Sequence, residues 1–167
     1  MEDQNSKARI GLARSMARKV LIDAGIKCPP VLINDVVNHI KKTKELSVVP
    51  WSFGDKTSGI QVTNGNFLFI GYNSKHNKHR QRFTVAHEIG HLLLGHTSNN
   101  FILDFYSRNP EEIEANQFAA ELLMPLAMLK EDLNNGKKDV KYIAGRYNVS
   151  EDAVWWRLLD MKLIKRF

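Results

Sequence analysis

The sequence has a single cysteine, Cys28, and only five prolines among 167 residues. One thiol cannot close an internal disulfide or form a CxxC metal or redox motif, which fits a reducing compartment better than a secreted setting. Long apolar runs are also missing. The longest, Leu122–Leu129, contains Pro125 and falls far short of the ~20 residues needed to cross a bilayer. Residues 1–24 alternate basic, polar and apolar side chains with no continuous hydrophobic segment, so a secretory signal is not expected. A cytoplasmic protein without membrane association is the expectation. The hydrophobic fraction of 43% and charged fraction of 25% exclude a disordered or fibrous chain. The length suits one ordinary domain, with at most a small helical appendage. The net charge of +6 is uninformative by itself, but the acids concentrate in residues 111–135 with basic segments on either side.

The pattern of apolar positions orders the chain as helices, a small sheet and more helices. Ile10, Ala13, Ala17, Val20 and Leu21 recur at three- and four-residue steps within 7–21, predicting an amphipathic helix that Gly25 ends. After Cys28-Pro29-Pro30, residues 31–40 read as a second helix. Residues 46–53, 58–63 and 66–72 are β-prone, and Asn64-Gly65 is a strong hairpin signal between the last two, so a small antiparallel sheet is expected. The basic stretch 75–82 reads as a solvated loop leading into a long helix that stops near Gly95. Asn109-Pro110-Glu111-Glu112 is a helix start, with a capping residue, proline at the first helical position and acids in the first turn. Met124-Pro125 ends that helix, a further one runs to Asn134-Asn135-Gly136, and residues 140–147 and 150–163 form two more around Asn148-Val149. The class is therefore α+β rather than a repeated βαβ fold.

His87-Glu88-Ile89-Gly90-His91 is an HExxH motif. On a helix, residues four apart project from one face a turn apart, so two imidazoles can hold a single zinc ion while Glu88 stands beside it. The alternative is a helix with two buried structural histidines. Phe83, Ala86, Ile89, Leu92, Leu93 and Leu94 surround most of the cylinder with apolar groups, and burying three ionisable side chains there is costly unless something pairs with them.

A catalytic zinc normally has three protein ligands and an open position for water. The extended HExxHxxGxxH pattern fails, because Leu94 and Thr97 stand where it needs glycine and histidine, and His96 is out of register. The acidic segment supplies Glu111, Glu112, Glu114 and Glu121 as carboxylate candidates. Glu112 and Asn116 lie four apart, so one can bind the metal while the other hydrogen-bonds a histidine ligand. Glu112 also fits a capping box with Asn109, and spacing alone leaves Glu111 and Glu114 as rivals. His96, Asp104 and Glu121 are the remaining fallbacks.

The segment from Arg82 through His91, followed by Glu112-Ile113-Glu114-Ala115-Asn116-Gln117-Phe118-Ala119-Ala120-Glu121-Leu122-Leu123-Met124-Pro125, resembles the ImmA/IrrE family of metallopeptidases. The similarity extends upstream through Ser58-Gly59 and Asn73, and downstream to Tyr147-Asn148-Val149-Ser150 and Arg157-Leu158-Leu159. It implies a zincin-like core in which the glutamate of the E-x-x-A-N-x-F-A-A pattern falls on Glu112, giving His87, His91 and Glu112 as ligands of zinc, with manganese as an in vitro substitute. It also implies a cytoplasmic protease that cleaves a helix-turn-helix repressor and so derepresses genes of a mobile element or a stress response. In that mechanism Glu88 takes a proton from the attacking water and passes it to the leaving amine. The oxyanion helper is not identified. Tyr72, His76, His79, Arg82 and Tyr106 lie near the motif, but each residue type is more often a surface or packing group. An extended substrate is pictured as a strand added beside residues 66–72.

In domain terms, residues 1–136 are expected to form the metallopeptidase unit and 137–167 a C-terminal helical pair packed on it, helix-turn-helix-like in outline. A DNA-binding reading of that pair draws on Trp155, Trp156, Lys162, Lys165 and Arg166. Glu151, Asp152 and Asp160 oppose it because phosphates repel them, so direct nucleic-acid contact is not expected and the tryptophans are expected in the core. A third reading keeps the zinc without catalysis, as a regulator that binds its repressor and does not cut it.

Overall fold

The computed structural model describes residues 7–96 and 107–164. Helices α1 (Ile10–Asp23) and α2 (Ile33–Ile40) precede strands β1 (Glu45–Trp51), β2 (Gly59–Asn64) and β3 (Phe67–Asn73). Five helices follow: α3 (Lys78–Leu94), α4 (Pro110–Leu123), α5 (Leu126–Asn134), α6 (Val140–Tyr147) and α7 (Glu151–Asp160). The α+β class expected from the periodicities is the class observed, and no described helix is long and apolar enough to cross a membrane.

The sheet is mixed. Strands β2 and β3 form the expected antiparallel hairpin, with Asn64 opposite Phe67, but β1 pairs parallel to β3, with Leu46 opposite Leu68. The order β1-β3-β2 puts β3 in the centre. Both of its edges are therefore occupied, and the substrate strand pictured beside residues 66–72 has no place there. Among the described residues, β1 and β2 form the outer edges of the sheet. Parallel pairing requires a crossover and leaves no local turn signature, which is why spacing did not reveal it.

Helix α3 begins earlier than its composition suggested. Asn77 accepts a hydrogen bond from the Arg80 backbone N–H at 2.9 Å, capping a helix whose first turns are the basic residues Lys78 to Arg82. Part of the stretch 75–82 read as a loop is therefore helical. Gln81 fixes this start by donating from Nε2 to the carbonyls of Ser74 at 3.0 Å and His76 at 2.7 Å. A side-chain cap outweighs unfavourable basic residues at a helix N-terminus, since a good cap contributes ~1 kcal/mol and dipole effects on exposed charges are smaller.

Helix α3 packs on β2 and β3 on one side and on α4 on another, while α1 lies across α4. Ala13, Ala17, Val20 and Leu21 of α1 join Phe118, Ala119, Leu122 and Leu123 of α4 in one continuous core, as the α1 periodicity predicted. The contact between α3 and α4 is close because Gly90 has no side chain: a Cβ there would lie 3.1 Å from Phe118 Cδ1 and 3.2 Å from its Cβ.

The last two helices are tied to the rest by polar groups. Buried Asp132 of α5 accepts from Lys137 at 2.8 Å, from Arg146 at 2.7 Å and from the Tyr147 hydroxyl at 2.9 Å. Arg157 of α7, 2% exposed, pairs with fully buried Glu121 of α4 and donates to the Met124 carbonyl at 3.2 Å. Glu121 is thereby a structural partner. The expectation that Trp155 and Trp156 lie in the core fails, because they are 49% and 50% exposed. Helix α7 faces inward through Val154, Arg157 and Leu158, and the helical period turns the tryptophans away from that stripe. Replacing Arg157 with Met leaves buried Glu121 with two long contacts, half-exposed Arg18 and the Leu126 backbone N–H, each 3.4 Å away. Breaking such a pair from one side typically costs about 3–5 kcal/mol. Urea denaturation of Arg157→Met is expected to show a loss of that size.

Candidate metal centre

Helix α3 carries His87, Glu88 and His91 on its buried segment, and α4 brings Glu112 against them. The two Nε2 atoms of His87 and His91 are 3.0 Å apart. Glu112 places Oε2 3.3 Å from His87 Nε2 and Oε1 3.3 Å from His91 Nε2. These donors lie within 4.8 Å of one another, and all three residues are buried. His87 Nδ1 is 2.9 Å from the Asn116 carbonyl oxygen, which can only accept, so the proton sits on Nδ1 and the Nε2 lone pair faces the shared space. A pair of imidazole nitrogens and a carboxylate converging in this way suits a divalent cation, and the donor set is that of zinc sites with an open position.

The acids of α4 separate cleanly by role. The Asn109 side chain accepts from the Glu111 backbone N–H at 2.8 Å and caps α4, while the Glu112 carboxylate faces the histidines. Glu114 points elsewhere. It meets His96 Nε2 at 3.0 Å and takes donors from Arg9, with the Arg9 backbone N–H at 2.6 Å and Nη2 at 2.8 Å. His96, 9% exposed, also approaches His91 through the two Nδ1 atoms, 2.9 Å apart. Gly95, with φ of 71°, turns the chain out of α3 so that His96 folds back over the helix end. Thus His96 lies outside the three-residue cluster and behind it, a placement the motif register did not signal. Asp104 falls outside the described residues.

The oxyanion candidates scatter. Tyr72 is half-buried on β3 against the core, His76 Nε2 sits 3.1 Å from the Asp55 carbonyl, and His79 is exposed. Arg82 donates to the carbonyls of Val31 at 3.0 Å and Tyr147 at 3.4 Å, so it joins segments rather than facing the cluster. Tyr106 falls outside the described residues. Gly59, at the start of β2, was part of the sequence similarity but had no assigned purpose. A Cβ there would meet Thr84 Cγ2 at 2.5 Å and Glu88 Oε1 at 3.1 Å, so only glycine lets the strand pass this close to the Glu88 carboxylate.

Burial pushes the Glu88 carboxyl up to about 7. Burial alone would also raise Glu112, but the facing imidazoles of His87 and His91 outweigh it and hold the carboxyl well below the usual carboxylate range. The same contest at Glu114 is decided by Arg9 and then His96, leaving it at about 2. For His87 burial dominates and lowers its pKa, favouring the neutral imidazole that a metal requires. Two carboxylates on neighbouring helices are thus driven in opposite directions, a pattern common where acids and bases have distinct tasks.

The family model of the IrrE N-terminal-like domain, a peptidase family, matches residues 44–159. The chain belongs to this family. The matched region runs from β1 through α7 and contains the whole His87, His91 and Glu112 cluster, which could hold a metal ion. One relative, the "uncharacterized immunity region protein 2" of Bacillus phage phi105, is 31% identical over 83 residues, which are 48% of this chain and 52% of that protein. A solved structure titled "Mycobacterium tuberculosis transcriptional regulator" superposes with a TM-score of 0.68 at 15% identity, over 93% of this chain and 48% of that one. At that identity the likeness concerns the fold. The chain spans about half the length of each of these two proteins.

The placement of Glu112 separates it from its neighbours in a measurable way. Glu112→Ala removes one of three donors and is expected to leave the dialysed protein with little zinc, whereas Glu111→Ala, on the same turn, retains it. Metal analysis of the two variants after equal dialysis distinguishes them. Equal zinc in both would dismiss Glu112 as a donor.

Proposed function

We propose that the chain is a zinc-dependent endopeptidase of the cytoplasm that cleaves a helix-turn-helix transcriptional repressor, with His87, His91 and Glu112 as the metal ligands and Glu88 as the general base. The observation that carries this reading is the convergence of His87 Nε2, His91 Nε2 and the Glu112 carboxylate, with Glu88 one residue along the same buried helix. A bound divalent metal supplies Lewis acidity toward a water molecule and the scissile carbonyl. Glu88 accepts the proton of the attacking water on its carboxylate and returns it to the nitrogen of the departing amine. Burial raises the proton affinity of Glu88 toward neutrality, which suits a group that must both take and release a proton near pH 7. Asn116 holds His87, and Glu112 opposes the pair from α4. The choice of a repressor as substrate is supported by the printed names of the relatives, one an immunity-region protein and one a transcriptional regulator. We place the division between the catalytic unit and the C-terminal pair at residues 136 and 137.

Glu88→Gln preserves shape and removes the base. With a helix-turn-helix repressor that the unaltered protein cleaves as substrate, and zinc or manganese present, the cleaved band is expected to form at least ~100-fold more slowly. Metal content should match that of the unaltered protein. Cleavage by metal-loaded Glu88→Gln at the original rate ends the assignment. Binding of the repressor by the unaltered protein with no cleavage under any metal supports instead a regulator that acts by association alone.

The exposed tryptophans of α7 make direct DNA binding testable rather than idle. Glu151 and Asp152 are exposed in the first turn of α7, the end that would approach the phosphates. A gel shift at physiological salt is therefore expected to show no sequence-dependent complex, and any binding at low salt should fall steeply as salt rises.

A further inference from the structure

Behind His91 lies a chain of polar side chains that the cluster itself does not explain. Arg9 donates from its backbone N–H to Glu114 Oε1 at 2.6 Å and from Nη2 to Oε2 at 2.8 Å, with Nε at 3.1 and 3.2 Å from the two oxygens. Glu114 Oε2 is 3.0 Å from His96 Nε2, and His96 Nδ1 is 2.9 Å from His91 Nδ1. The direction of every bond follows from one end. A carboxylate clasped by a guanidinium is an acceptor only, so His96 Nε2 must donate to it. A neutral imidazole that donates from Nε2 accepts at Nδ1, so His91 Nδ1 must be the donor of the next bond. That leaves the His91 Nε2 lone pair bare, pointing at His87 Nε2 and Glu112.

We infer that His96 and Glu114, anchored by Arg9, are positioning residues that lock His91 in the tautomer able to bind the metal, as Asn116 does for His87. This rests on the metal-site reading above, and it adds residues from three separated parts of the chain, one of which, Arg9, precedes the region matched by the family model. The two locks differ in kind. Asn116 reaches His87 directly, whereas the His91 lock passes through a second imidazole whose own tautomer depends on a carboxylate. Glu114→Gln exposes that dependence, because a carboxamide can donate as well as accept. His96 can then flip its proton to Nδ1, His91 must accept there, and its Nε2 becomes protonated and unfit for a metal.

The test reads the tautomers themselves. Long-range proton–nitrogen correlation spectra of the metal-free protein are expected to show His87 and His91 both protonated on Nδ1. In Glu114→Gln and His96→Leu, His91 should become a mixture while His87, held by Asn116, is unchanged. Zinc affinity from chelator competition is expected to fall by ~10–100-fold in both variants. His96→Gln offers an acceptor and a donor in the same places and should restore most of the affinity, which simple filling of the cavity would not. Thermal melts check folding, and the near-isosteric Glu114→Gln decides the matter where His96→Leu fails to fold. His91 protonated on Nε2 in the unaltered protein, or an unmoved tautomer in Glu114→Gln, would overturn the lock. Failure of the metal-site reading shows differently: the tautomers behave as stated, yet Glu112→Ala binds zinc as tightly as the unaltered protein.

Discussion

The site depends on how closely α3 and α4 approach one another. Glu112 can oppose His87 and His91 at 3.3 Å only if the helix axes come near, and Gly90 against Phe118 removes the side chain that would hold them apart. Burial follows from the same approach. Once water is excluded, three ionisable groups must answer to each other or to a cation, and the desolvation that penalises their charges also strengthens their attractions. The opposite displacements of Glu88 and Glu112 are two outcomes of this single constraint: one carboxyl has no cationic partner strong enough to offset burial, the other has two imidazoles.

What could be read in advance was what is local in the chain. The HExxH spacing, the α1 stripe of Ala13, Ala17, Val20 and Leu21, the Asn109-Pro110 helix start and the hairpin at Asn64-Gly65 each act within a few residues, where helical period, caps and turns decide the outcome. The partnership of Glu112 and Asn116 was also legible as a four-residue spacing, although spacing could not choose between a ligand and a capping box. In the structure Asn109 accepts from the Glu111 backbone N–H, and the Glu112 carboxylate lies 3.3 Å from each imidazole. Long-range facts were not legible. The parallel pairing of β1, the fold-back of His96 after Gly95, and the grip of Arg9 on Glu114 join segments far apart in sequence and leave no periodic trace. The tryptophans of α7 misled for another reason: size and hydrophobicity argued for burial, but Arg157 takes the inward position because Glu121 waits there for it.

Polar burial serves two ends in this molecule. At α7 and at Asp132 it fastens helices that have modest apolar faces of their own, using ion pairs whose loss from one side is far costlier than their net contribution. At the α3 and α4 contact it prepares a place for charge. The first kind is closed, each group answered by another protein group, while the second converges on a space that the protein alone leaves rich in lone pairs.

The grip of Arg9 on Glu114 has a thermodynamic consequence. Arg9 is the residue at which α1 begins, so the ordered start of that helix and the orientation of His91 share a free energy. Coupling of this kind is reciprocal. To whatever extent a docked α1 tightens the hold on a metal, a bound metal tightens the docking of α1 on α4 by the same amount, and the N-terminal helix becomes a reporter of what occupies a site it never touches.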